Sequence, residues 1–211
     1  MKILILGATG GVGRDITAEL VSRGHQVTAA SRTPNTTDAV GVTPLVLDAT
    51  DSSAIAAAAE GHDAVVNAVG PKFGQDDLAG LSAVANAIIA GLRKAEVTRL
   101  VVVGGAGTLE VAPGIRLHTT EQFPAEYKPL AEAHADAYDI YLAADGLDWT
   151  YLTPPPEFMA GARTGTYRTG PGSYLADAEG RSRLSYADMA VAVVDTLEQG
   201  SNTATRVAVA Y

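Results

Sequence analysis

The first twenty residues, MKILILGATGGVGRDITAEL, run from an apolar stretch at Ile3–Leu6 through a glycine-rich turn into a helical pattern. In that pattern Val12, Ile16, Leu20 and Val21 share one face, and Gly24 ends it. The same alternation recurs down the chain. HQVTAAS and TPLVLD read as a second and third strand, SSAIAAAAEG as an alanine-rich helix, and DAVVNAVG as a fourth strand. LAGLSAVANAIIAGLRKA is a helix, RLVVVGG a fifth strand, PLAEAHADAYDIYLAADG a helix and DWTYLTPP a sixth strand. Strands that are apolar at consecutive positions, such as ILIL and LVVV, suit burial on both faces, and their alternation with helices predicts a doubly wound parallel α/β sheet.

After Pro156 the rhythm breaks. TGTYRTGPGSYLADAEGRSRLS is rich in Gly, Tyr and Arg and predicts short strands and turns. SYADMAVAVVDTLEQG resumes as a helix, with Ser185 and Asp188 at capping-box spacing, and RVAVAY reads as a terminal strand. The expected organisation is one domain over 1–211, with 157–184 as an irregular cap or insert over the carboxyl ends of the strands.

The glycines at the first strand–helix junction carry candidate chemistry. Gly7 permits a sharp turn out of the strand, Gly10 lets backbone approach a pyrophosphate, and Gly13 lets the helix pack closely on the sheet. Ala8, Thr9, Gly11 and Val12 complete the loop and first turn, where unpaired N–H groups face the phosphates. A tight turn with no ligand is the structural alternative. The second strand ends in TAASRTP, without the acid that binds the ribose of NAD, so Ser31 and Arg32 are candidates for a 2′-phosphate and NADP(H) is favoured over NAD(H). Asp48 and Ala49 follow the third strand, where Asp48 suits the adenine amino group; Asp51 and Ser52 are better placed to cap the next helix. Ala68, Val69 and Gly70 end the fourth strand with residues small enough for a ribose to lie against the backbone. Gly104 and Gly105 end the fifth and are expected to leave room for a nicotinamide. Pro154 fixes the exit of the sixth strand, next to the cofactor. Gly105, Thr108 and Phe158 are candidates for the acceptor pocket, with turn and core-packing roles as their alternatives.

Composition narrows the classes. The chain has 211 residues, a formal charge of −9 and no cysteine. Nucleic acid is an unexpected partner, and disulfides and thiolate chemistry are excluded. No close His spacing suggests a metal site. The apolar runs are short, and the first is shorter than a signal-peptide core, so a cytoplasmic protein without membrane contact is expected. A monomer or homodimer acting on a small molecule fits this reading.

GATGGVGR, ASRTP, VVVGGAGTLEVAPG, DWTYLTPPPEF and GARTGTYR together resemble the atypical short-chain dehydrogenase/reductases. The nearest resemblance is to the NADH-flavin reductase group, related to biliverdin-IXβ reductase and NmrA-like proteins. It implies a Rossmann fold, an NAD(P) cofactor and reduction of a flavin or similar conjugated acceptor. The Tyr-x-x-x-Lys pair of typical members is missing. The residues four before Lys72, Lys94 and Lys128 are Ala68, Ala90 and Pro124, and Lys2 has none. Catalytic residues are therefore not assigned. A dinucleotide-sensing regulator without turnover, and an epimerase-like enzyme with bound NAD(P), remain alternatives.

Overall fold

The computed structural model describes residues 1–34, 39–71, 78–200 and 204–211. The first half alternates β1 (Lys2–Leu6), α1 (Gly11–Ser22), β2 (Gln26–Ser31), β3 (Val42–Val46), α2 (Ser52–Ala59), β4 (Ala64–Asn67) and α3 (Gly80–Ala95). The second half runs β5 (Arg99–Val103), the short β6 (Glu110–Ala112) and β7 (Ile115–Arg116), α4 (Lys128–Leu142), β8 (Asp148–Thr153), β9 (Glu157–Met159), β10 (Arg168–Gly170), β11 (Arg183–Ser185), α5 (Tyr186–Gln199) and β12 (Thr205–Ala210). The main sheet has eight strands in the order β10-β12-β8-β5-β4-β1-β2-β3, and only β10 runs antiparallel to its neighbour. The strand order reverses at β1, which pairs with β2 on one edge and β4 on the other, and a crevice opens there at the carboxyl ends of the strands. This is a Rossmann-type doubly wound sheet.

Period-two alternation divides β1 between two cores. Leu4 and Leu6 join Ile55, Ile88, Leu92 and Trp149 on the side of α2, α3 and α4. Ile3 and Ile5 join Ile16, Leu20, Met189 and Val193 on the side of α1 and α5. Both faces are covered, which is why the central strands are continuously apolar. β3 is a free edge, and there Pro44 is tolerated because a ladder donor is dispensable on the outer side. No helix among the described residues is long and apolar enough to cross a membrane.

The 157–184 segment does more than cover strand ends. β9 pairs with β11 in a two-stranded ribbon, while β10 extends the main sheet beyond β12. Between them, Arg163 reaches back to Glu19 on α1 with two bonds of 2.8 and 2.9 Å. The Ser185–Asp188 spacing forms a half capping box. Ser185 Oγ accepts the Asp188 N–H at 3.0 Å. The Asp188 carboxylate instead accepts from the N–H groups of Thr164 and Gly165 and from the hydroxyls of Thr164, Ser185 and Tyr211. Burial raises the Asp188 pKa, but these donors outweigh it and hold the group below the usual carboxylate range.

Candidate functional site

The β1–α1 junction is shaped by close approaches of backbone. Gly7 has φ +81°, and a Cβ there would lie 2.7 Å from the Ala68 carbonyl oxygen at the end of β4. A Cβ on Gly13 would lie 2.1 Å from the Gly7 carbonyl oxygen, so this glycine closes α1 onto the turn itself, and the sheet is not what it clears. Gly10 is different. It is the extended N-cap of α1, and its Cβ would meet only the Gly7 carbonyl oxygen, at 3.3 Å. The first helical bond is Arg14 N–H to the Gly10 carbonyl. The N–H groups of Gly11, Val12 and Gly13 therefore have no acceptor among the described residues. Three open donors beside a position with no side chain fit a diphosphate, so a dinucleotide would be held here by Gly10, Gly11, Val12 and Gly13. Ala8 is buried and Thr9 half-buried on the same loop, which is tied to β2 by the Gly7 and Ala8 N–H groups donating to the Ala30 carbonyl.

At the end of β2, Arg32 is exposed. Ser31 is buried, and its hydroxyl donates to the Thr33 carbonyl at 2.7 Å. Its proton is thus used within the turn, and the guanidinium of Arg32 is left as the charged donor. Asp48 is also exposed. One of its oxygens accepts the Thr50 N–H and hydroxyl at 2.9 and 2.8 Å, which lowers its pKa, and the nearby Arg32 acts in the same direction. Asp51, not Asp48, caps α2, accepting from the Ser53 and Ala54 N–H groups. Ala49 and Ala68 are buried, Val69 is half-buried and Gly70 is exposed with open space around its Cα. Asn67 fixes this exit: its carbonyl accepts the Val69 N–H and its amide donates to the Tyr141 hydroxyl.

The β5 exit differs from expectation. The space a Cβ would take at Gly104 is filled by the Tyr151 ring, 1.9 Å away, and at Gly105 by His134, 2.6 Å away. These glycines admit side chains of β8 and α4, and room for a ligand is not their reason. Thr108 is fully buried and turned inward, donating to the Gly105 carbonyl. It is a turn-closing residue and leaves the list of acceptor contacts. Phe158 is half-buried with its ring packed edge-on to Tyr186 at 4.6 Å. Pro154 is buried at the β8 exit.

A cavity of about 210 Å³ lies between the β5–α4 connection and the region after β8, lined by Val111, Leu117, Phe123, Pro124, Pro156 and Tyr174 among others. Its wall is mostly apolar. The α4 helix carries no activated phenol: burial raises the pKa of both Tyr138 and Tyr141. His118 donates its Nδ1–H to the Gly107 carbonyl at 2.8 Å, and burial lowers the His134 pKa to about 4, keeping it neutral.

Comparisons with known proteins agree with this geometry. A family described as NAD(P)H-binding matches residues 7–199. The chain is similar to a structure named "putative exported protein" from Burkholderia pseudomallei, with 47% identity, TM-score 0.92 and complete coverage of both chains. It is similar to a "putative epimerase" from Bacteroides thetaiotaomicron, with 31% identity, TM-score 0.90, and 100% and 96% of the two chains covered. It is also similar to a "putative NADH-flavin reductase" from Streptococcus pneumoniae, with 33% identity, TM-score 0.88, and 100% and 99% covered. A nucleotide-binding loop of this build, on a sheet of this order, places the chain in the NAD(P)H-binding family.

Proposed function

We propose that the protein is an NADPH-dependent reductase that passes hydride to a flat conjugated acceptor of the flavin type. The observation that carries this reading is the mostly apolar cavity between the β5–α4 connection and Pro156 after β8, in a chain whose α4 tyrosines are buried and held in the neutral form. A bound nicotinamide supplies the hydride. The chain's part is to orient, since a conjugated ring disperses the incoming charge and takes its proton from water, whereas a ketone needs a positioned acid. The cavity is smaller than a usual ligand pocket of about 300–1,000 Å³, so it suits the edge of a ring system. The β2 end supports NADPH through Arg32, with no acid to bind a free 2′-hydroxyl.

The test is NADPH oxidation against FMN, riboflavin, a quinone and simple aliphatic ketones. Flavin turnover with inert ketones is expected. Tight NADPH binding without turnover of any acceptor would replace this reading with that of a sensor, and retention of the dinucleotide through purification with sugar-nucleotide isomerisation would replace it with an epimerase.

A further inference from the structure

Gly11 has an ordinary negative-φ helical backbone, so neither a turn nor strain requires a glycine there. What requires it is Tyr186. A Cβ on Gly11 would come within 2.8 Å of Tyr186 Cε2 and 3.7 Å of Cζ, the carbon that bears the hydroxyl. The outer edge of this ring therefore lies against the first residue of α1, one of the three whose N–H groups are open. The ring is held in place from two sides. Phe158 meets it edge-on at 4.6 Å and 72°. Its own backbone starts α5, immediately after Ser185, which is fixed by Asp188 and through it by Thr164, Gly165 and Tyr211.

The hydroxyls of Tyr141, Tyr151, Tyr167 and Tyr211 each bond a protein group. The Tyr186 hydroxyl has no partner among the described residues, and the residue is half-buried. A rigid ring with an unused donor beside open backbone N–H groups has the form of a preorganised anion contact.

We propose that Tyr186 is a cofactor-positioning residue whose hydroxyl donates to the pyrophosphate of the bound dinucleotide. The assignment rests on the cofactor site at the start of α1, and it is independent of which acceptor is reduced. Tyr186 joins the cap segment to the cofactor loop, so the Phe158–Tyr186 pair couples the two.

Tyr186→Phe keeps the ring and removes only the donor. Titration should show NADPH, NADH and ADP all weakened about tenfold or more, the usual effect of a lost hydrogen bond to a charged group. Adenosine 2′-monophosphate, which lacks a pyrophosphate, should bind as to the parent chain, and the melting temperature of the ligand-free protein should be unchanged. Gly11→Ala, whose Cβ displaces the ring, should give the same ligand pattern. Unchanged affinity of Tyr186→Phe for all three diphosphates would overturn the assignment, as would an equal loss for adenosine 2′-monophosphate, which would mark a general disturbance of the site. If the parent chain bound none of these ligands, the cofactor site itself would fall and the assignment with it.

Discussion

Gly10 and Gly13 stand three residues apart and answer to different constraints. Gly13 has no room for a Cβ because the Gly7 carbonyl fills the space, whereas a Cβ on Gly10 needs that carbonyl to give by only a few tenths of an ångström, and its backbone is extended, a conformation valine adopts readily. Gly10→Val should therefore fold, with a melting temperature near that of the parent, and lose dinucleotide affinity to the bulk placed against the phosphates. Gly13→Val should fail at the level of folding, and circular dichroism with thermal melting separates the two outcomes. Arg32→Ala is the matching test of selectivity: NADPH should weaken about 10- to 100-fold more than NADH in a titration, and equal losses for both would refute the assignment to the 2′-phosphate. The turn glycines were legible in the sequence because their spacing at a strand–helix junction is local, although the Ala68 carbonyl that crowds Gly7 is not. Gly104, Gly105 and Gly11 were misread or left general, because the rings that claim their space, from Tyr151, His134 and Tyr186, lie tens of residues away. Thr108 was open to two readings, an acceptor contact or a turn residue. A threonine three residues past a strand-end glycine can serve either, and only the fold shows its hydroxyl turned back on Gly105.

At the scale of elements, strand and helix identities followed from periodicity; the observed bounds of α1, α3, β8 and α5 fall inside the stretches read as such, and α4 begins one residue before its stretch, at Lys128. The 157–184 segment did not follow. Its strands are three residues long, too short to show a period, and β10 is recognisable only through its antiparallel pairing with β12. The element that organises it is the first turn of α5. An aspartate at 188 is too short to return to the Ser185 N–H as a glutamate would, and the Tyr211 hydroxyl accepts that N–H at 3.3 Å. The carboxylate is thereby released to collect donors from 164 and 165. Asp188→Asn replaces an acceptor by an NH₂ that faces those donors. It should cost about 2–4 kcal/mol in a urea titration, by analogy with other buried charged acceptors left mismatched, and it should make the 160–167 stretch sensitive to limited proteolysis. A loss under about 0.5 kcal/mol would show that the donors are satisfied by water instead.

For the whole molecule, the buried titratable groups set how stability responds to acid. The depressed carboxylates, Glu19 held down by Arg163 and Arg23, Glu110 by Arg206 and Gly114, and Asp188 by its donors, contribute stability that is present above the usual carboxylate range and is lost as pH falls through their lowered values. His134 acts earlier and is a base, so its sign needs its own derivation. Burial lowers its pKa to about 4, against about 6.5 in an unfolded chain. Between those values the unfolded state binds the proton and the folded state does not, so stability rises with pH across the window. The contribution is complete above about pH 6.5 and is lost progressively as pH falls toward 4, by no more than about 3–4 kcal/mol in total. From pH 6.5 to 5 the depressed carboxylates are ionised in both states and add nothing to the slope, so the difference between the parent chain and a His134 variant reads the His134 share. His134→Gln removes the titration, whatever it does to stability at pH 7, and replaces the ring that fills the space over Gly105. Denaturant midpoints measured at half-unit steps should fall with acidity in the parent chain over this interval and stay nearly level in the variant. Parallel pH profiles for the two proteins would mean that His134 is hydrated and titrates in the folded state as it does in the unfolded one.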